Sequence, residues 1–166
     1  LARAGEIFFW PIMDLLVWGF VSTYINKEND VALFLLGSVI FWDVLYRSQQ
    51  AITLSISEDI WVKNILNVFV SPVSIFELMV ATCIMGIIKA VITAVVLGSL
   101  AFLLYTFNIL SIGILLLPFL ISLLLFGWAL GMVTMALILR FGKSAEALVW
   151  GIPFLIQPFS AVFYPV

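Results

Sequence analysis

The sequence contains no histidine and only one cysteine, Cys83, among its 166 residues. Without histidine the chain lacks the commonest transition-metal ligand and the commonest general base near neutral pH. A lone cysteine excludes a disulfide framework, and its place inside an apolar run reads as a packed thiol rather than a reactive one. Charge is scarce as well. Seven basic and nine acidic residues leave a formal net charge of −2, which excludes the basic surface of a nucleic-acid-binding domain. Neither an internal repeat nor a low-complexity tract interrupts the chain. A phosphate-binding loop is missing too: Gly142-Lys143-Ser144 has Leu137 where the motif needs a glycine five positions earlier, and it follows an apolar run rather than a strand. The chain therefore has no nucleotide site or cofactor motif of its own, and it reads as something other than an enzyme.

Apolar residues are what the sequence has in surplus. They make up 65% of it, against 10% charged, and the mean hydropathy is +1.29. An average soluble domain holds about 45–50% apolar and about 25% charged residues. A chain of this length cannot bury that surplus in a single core, so lipid must solvate much of it. The expected fold is all-α, a polytopic transmembrane bundle forming a single domain over 1–166. A membrane crossing needs about 20 apolar residues. Spans are expected at 7–25, 31–54, 75–107, 112–139 and 145–166, the last interrupted by Pro153, Pro158 and Pro165. Gly127 and Gly131 give the fourth a GxxxG spacing that permits close helix approach.

The basic residues set an orientation. With the N-terminus cytoplasmic, Arg3, Arg47, Lys63, Arg140 and Lys143 fall on or near the inner side, and only Lys27 lies outside, beside Glu28 and Asp30. On that side lies the most polar stretch, 55–74. Ser57 reads there as an N-cap with Glu58 and Asp59 in the first turn. Ile60, Trp61, Ile65, Leu66, Val68 and Phe69 recur at helical spacing, while Lys63, Asn64 and Asn67 fill the polar side until Pro72. This pattern predicts a short amphipathic helix at 57–71, lying at the cytoplasmic interface. It either links two spans or docks a cytoplasmic partner.

Three charges fall at membrane depth: Asp14, Asp43 and Lys89. Each costs about 2.5–3.5 kcal/mol on insertion scales and is a functional candidate. Helical rise puts all three near one inner level, either as an ion pair of Lys89 with Asp43 or Asp14, or as the polar lining of a path. Of the six tryptophans, Trp10, Trp61 and Trp150 suit interfacial anchoring, and Trp18, Trp42 and Trp128 suit packing between helices or lining a path for a sugar or lipid.

The runs Arg47-Ser48-Gln49-Gln50-Ala51-Ile52, Glu58-Asp59-Ile60-Trp61 and Asn67-Val68-Phe69-Val70-Ser71-Pro72-Val73-Ser74-Ile75-Phe76-Glu77 resemble the membrane subunits of type-2 ABC transporters, as does Phe163-Tyr164-Pro165-Val166. That family exports polysaccharides, lipid-linked glycans and drugs. The resemblance implies a permease of six spans, five of them in this chain. It implies that 55–74 is a coupling helix seated on a separate ATP-binding subunit, with Glu58, Asp59, Trp61, Lys63, Asn64 and Asn67 at the contact, and that residues 1–6 end an amphipathic helix on the cytoplasmic surface. ATP and magnesium would be held by that partner. A second copy of the permease, membrane lipids and a prokaryotic plasma (inner) membrane complete the expectation. Two other readings stay open: an ion-coupled secondary transporter using Asp14, Asp43 and Lys89, and a non-transporting membrane scaffold.

Overall fold

A computed structural model describes residues 2–25, 29–145 and 147–160, and every regular element among them is helical. Helix α1 is Ala2–Ile25, α2 is Asn29–Trp61, α3 is Ile65–Val70, α4 is Ile75–Tyr105, α5 is Leu116–Phe141 and α6 is Ala147–Ile156. Short 3-10 segments, Ile109–Leu115, Gly142–Ala145 and Gln157–Phe159, join or extend them. Of the polar break expected at 26–30, residues 26–28 lie outside the described residues, while Asn29 and Asp30 already belong to α2. Residues 161–166, which contribute to the resemblance, also lie outside, as do the side chains of Arg3, Asp30 and Lys143.

Helix α2 is the axis of the bundle and packs against α1, α4, α5 and α6. Apolar contact closes one end, where Leu15 of α1 meets Leu36 and Ile40 of α2 and Leu97 and Ala101 of α4. A smaller cluster of Ile138, Ala145 and Val149, with Leu54 and Ile60 against it, closes the other. Between them the helices meet through small and polar residues. Gly127, Gly131 and Thr134 of α5, and Gly86, Ala90 and Thr93 of α4, are all buried. The glycines on α5 face α2 so closely that a Cβ on Gly131 would lie 2.8 Å from the Gln49 carbonyl oxygen. Backbone approach of this kind is the use that the GxxxG spacing serves in lipid.

Two helical stretches, Ile75–Tyr105 and Ile109–Phe141, are long and apolar enough to cross a membrane. In their most apolar windows only 22% and 0% of residues are buried within the protein, so neither is the hidden core helix of a soluble fold. Phe8–Ser22 and Ala147–Phe159 are apolar but shorter. Helix α2 has the length, at 33 residues, but carries Asp43, Arg47, Gln49, Gln50, Glu58 and Asp59 along it. The composition of α2 reflects its central place, because its polar side chains face other helices.

The region after the second expected span departs from expectation. Rather than a separate helix at 57–71, α2 runs on to Trp61, and α3 keeps only six residues. Ser57 is not an N-cap: it is buried inside α2 and donates to the Thr53 carbonyl at 2.8 Å. Nothing between Gly37 and Trp61 breaks a helix, so α2 continues until Lys63 turns left-handed at φ 57°. There the Lys63 amide donates to Ile60 O at 3.1 Å and the Asn64 amide to Asp59 O at 2.8 Å, a Schellman closure made without glycine. Glu58 and Asp59 consequently sit at the negative end of a helix dipole, opposite to the favourable first-turn position expected of them.

The turn after Trp61 and helix α3, residues 62–71, form an elbow that Pro72 ends, and α4 follows at once with a capping box. The Ser74 hydroxyl accepts from the Glu77 amide at 3.2 Å, and the Glu77 carboxylate accepts from the Ser74 amide at 2.8 Å. Ser74→Ala should lower stability by about 1 kcal/mol, measured by thermal unfolding in detergent.

Candidate functional site

Two features stand out on this frame: a polar-floored, aromatic-walled cavity against α2, and the exposed elbow at its end. The cavity, of about 410 Å³, lies between α1, α2 and the start of the final 3-10 turn. Helical periodicity builds both of its long walls. On α1, Trp10, Asp14 and Trp18 are four residues apart and share one face; on α2, Val39, Trp42, Asp43, Tyr46 and Arg47 follow the i, i+3, i+4, i+7, i+8 pattern of a single stripe. Phe154 and Gln157 close the side, and the Tyr46 and Phe154 rings lie 6.3 Å apart.

The floor is an ion pair. Arg47 Nε lies 3.3 Å from Asp43 Oδ1, one helical turn away, with both side chains about nine-tenths withdrawn from solvent. The second carboxylate oxygen of Asp43 is buried, and the Thr93 hydroxyl of α4 lies beside the Asp43 side chain. Asp14 faces the same space from α1 and is the more exposed of the two acids.

Of the three membrane-depth charges expected to meet, the structure brings together Asp14 and Asp43 and leaves Lys89 apart. Lys89 is half-buried on α4, outside the cavity, and makes no ion pair among the described residues. The cation beside Asp43 is Arg47, which in the sequence reads only as an inner-side orientation marker. A signal for the pair is nonetheless present there, since an acid and an arginine four apart on one helix are neighbours. Trp18 and Trp42 also do more than pack, because both line the cavity. Trp42 additionally borders a second cavity of about 580 Å³, lined by Phe34, Phe41, Phe107 and Phe119, on another face of α2. Trp128 is the packing residue expected, except that its buried indole N–H finds no acceptor.

A buried polar layer continues along α2 from the ion pair toward the elbow. Gln49 donates to the Thr53 hydroxyl at 3.1 Å and to the Val149 carbonyl of α6 at 3.5 Å. Thr53 in turn donates to Gln49 O at 3.0 Å and lies 3.4 Å from Gly131 O of α5. Such a layer fixes the rotation of α2 against its neighbours, because turning it would strand buried polar groups.

At the elbow the polar residues singled out from the sequence do come together. Asn64 donates to the Asp59 carboxylate at 3.2 Å, and Asn67 donates to the Asn64 side-chain oxygen at 2.9 Å. These bonds tie α3 to the last turn of α2. Trp61, Val62, Lys63, Leu66, Phe69 and Val70 remain exposed around them. Arg140 lies at the same end of the bundle, since Ile138 of α5 packs with Leu54 and Ile60 of α2. No family model, curated protein or solved structure matches the chain.

Proposed function

We propose that this chain is the membrane-spanning permease subunit of an ATP-driven exporter of the type-2 ABC kind, moving an amphiphilic, glycan or drug-like substrate. ATP hydrolysis belongs to a separate subunit that grips the elbow, and two copies of the permease work together in a prokaryotic plasma membrane with the N-terminus cytoplasmic. The observation that carries the reading is the elbow, an exposed apolar knuckle hydrogen-bonded to the end of a 33-residue central helix. At about 1.5 Å per residue, α2 is a lever roughly 50 Å long. A push at Trp61–Val70 would be carried along it to the cavity and to every helix packed against it.

Charge supports the same reading. Glu58 and Asp59 lie in the last turn of α2, at the negative end of its dipole, where a basic groove on a partner would complement them. Lys63 and Arg140 at one end of the bundle agree with that end being cytoplasmic. The ion-coupled alternative is weakened, since among the described residues Lys89 neither lines the cavity with the two acids nor forms an ion pair with either.

The test is co-purification from native membranes in mild detergent. The wild-type chain should bring with it a subunit bearing a GxxxxGK[ST] loop. Glu58→Lys with Asp59→Lys should reduce that subunit by roughly tenfold or more, since like charges at an interface cost several kcal/mol. Helical content and thermal midpoint should be kept. A wild-type yield of the partner on the charge-reversed chain would rule out the elbow as the docking site.

A further inference from the structure

We infer that the cavity between α1 and α2 binds an organic cation, an amine or quaternary ammonium group attached to an apolar body. The inference does not depend on the elbow, because binding there requires neither ATP nor a partner subunit.

Among the described residues, three charged groups face the cavity: Asp14, Asp43 and Arg47. Arg47 is matched by Asp43 at 3.3 Å, so the pair is neutral as a unit and Asp14 leaves the space with an excess negative charge. A carboxylate in surroundings this apolar is stabilised by a cation that enters beside it. Asp43 adds a second attraction. The residue is more than nine-tenths buried and belongs to the lining of the same space. A cation entering the space would be drawn by this carboxylate as well as by that of Asp14.

The walls select which cation. Trp10, Trp18 and Trp42, with Tyr46 and Phe154, give the space five aromatic rings. Aromatic faces attract cations through the ring quadrupole, tryptophan most strongly, and cages of such rings recognise quaternary ammonium groups. A small hydrated metal ion has no use for these faces. An organic cation gains from them and also places its apolar part against the rings. The volume of about 410 Å³ falls in the range of small-molecule sites. An anion would find one guanidinium already paired and two carboxylates against it.

The probe is radiolabelled tetraphenylphosphonium, with tetraphenylborate as its near-isostere of opposite charge, titrated against the full chain in uncharged maltoside micelles. The phosphonium should bind saturably, and tetraphenylborate, titrated in a separate sample because the two ions pair with each other, should not. Asp14→Asn should weaken binding by roughly tenfold or more, whereas Asp14→Glu, which keeps the charge, should stay within a few-fold of wild type. Trp18→Leu should also weaken it, and this variant carries the test if Asp14→Asn does not fold. Displacement by dihexanoyl phosphatidylcholine would assign a lipid's choline headgroup as the cation's source, and retention would assign a free cation. Absence of saturable phosphonium binding, equal affinity in Asp14→Asn and wild type, or equal binding of the borate would each overturn the inference.

Discussion

Replacing Gly127 by alanine should destabilise the protein, whereas the same change at Gly151 should stabilise it slightly. Alanine ordinarily favours a helix over glycine by about 0.5–1 kcal/mol. A methyl group added at Gly151 would meet nothing within 4 Å, so that gain should appear there undiluted. At Gly127 the methyl carbon would overlap the Ser48 hydroxyl and lie 2.7 Å from the Leu45 carbonyl oxygen, which is backbone and cannot swing aside. Pushing α5 off α2 should cost about 1–3 kcal/mol, the usual range for overpacking. Gly131→Ala should behave similarly, because its methyl would meet the Gln49 carbonyl. Thermal unfolding in detergent checks all three variants. A Gly127→Ala midpoint at or above that of Gly151→Ala would mean that α2 and α5 are not in backbone contact.

The second large effect is expected at the cavity floor. Arg47→Met leaves Asp43 buried without its cation, within the same cavity as Asp14. Breaking a buried pair by removing one partner typically costs about 3–5 kcal/mol. Asp43→Asn with Arg47→Gln removes both charges and should recover most of that loss. Lys89→Gln should change stability little, because Lys89 is not the partner of either acid. Chemical or thermal unfolding of the four proteins tests the assignment. If Lys89→Gln were as damaging as Arg47→Met, Lys89 would have to be the partner of the acids after all.

Much of the helical architecture is legible in the sequence, because apolar runs and breaking residues punctuate it. The Ser74–Glu77 box and Pro72 mark the start of α4, and Asn108 marks the turn after it, where its side chain accepts from the Leu110 amide. The glycine spacing at 127 and 131 likewise points to close approach, although only the packing identifies α2 as the partner helix. The polar stretch after residue 55 is misleading. Ser57 followed by two acids has the form of a helix start, yet tertiary contact overrides it: Ser57 is buried, its hydroxyl returns to Thr53, and α2 has no breaker before Lys63. The cavity is half legible. Asp14 and Asp43 are conspicuous as charges within long apolar runs. Depth measured along separate helices favours Lys89 as their partner, but the four-residue spacing within α2 carries the better information and favours Arg47. The gathering of Trp10, Trp18 and Trp42 depends on how α1 rotates against α2, which no local pattern encodes.

The central claim is that the elbow is where a motor subunit takes hold, and photocrosslinking from its surface tests this most directly. A photoreactive amino acid at Phe69, 61% exposed on α3, is compared with one at Ile114, 83% exposed on the connection at the opposite end of α4. In native membranes the Phe69 position should yield an adduct with a chain bearing the GxxxxGK[ST] loop, and the Ile114 position should not. An adduct with that chain from Ile114 but not from Phe69, or from neither position in a correctly inserted protein, would contradict the account.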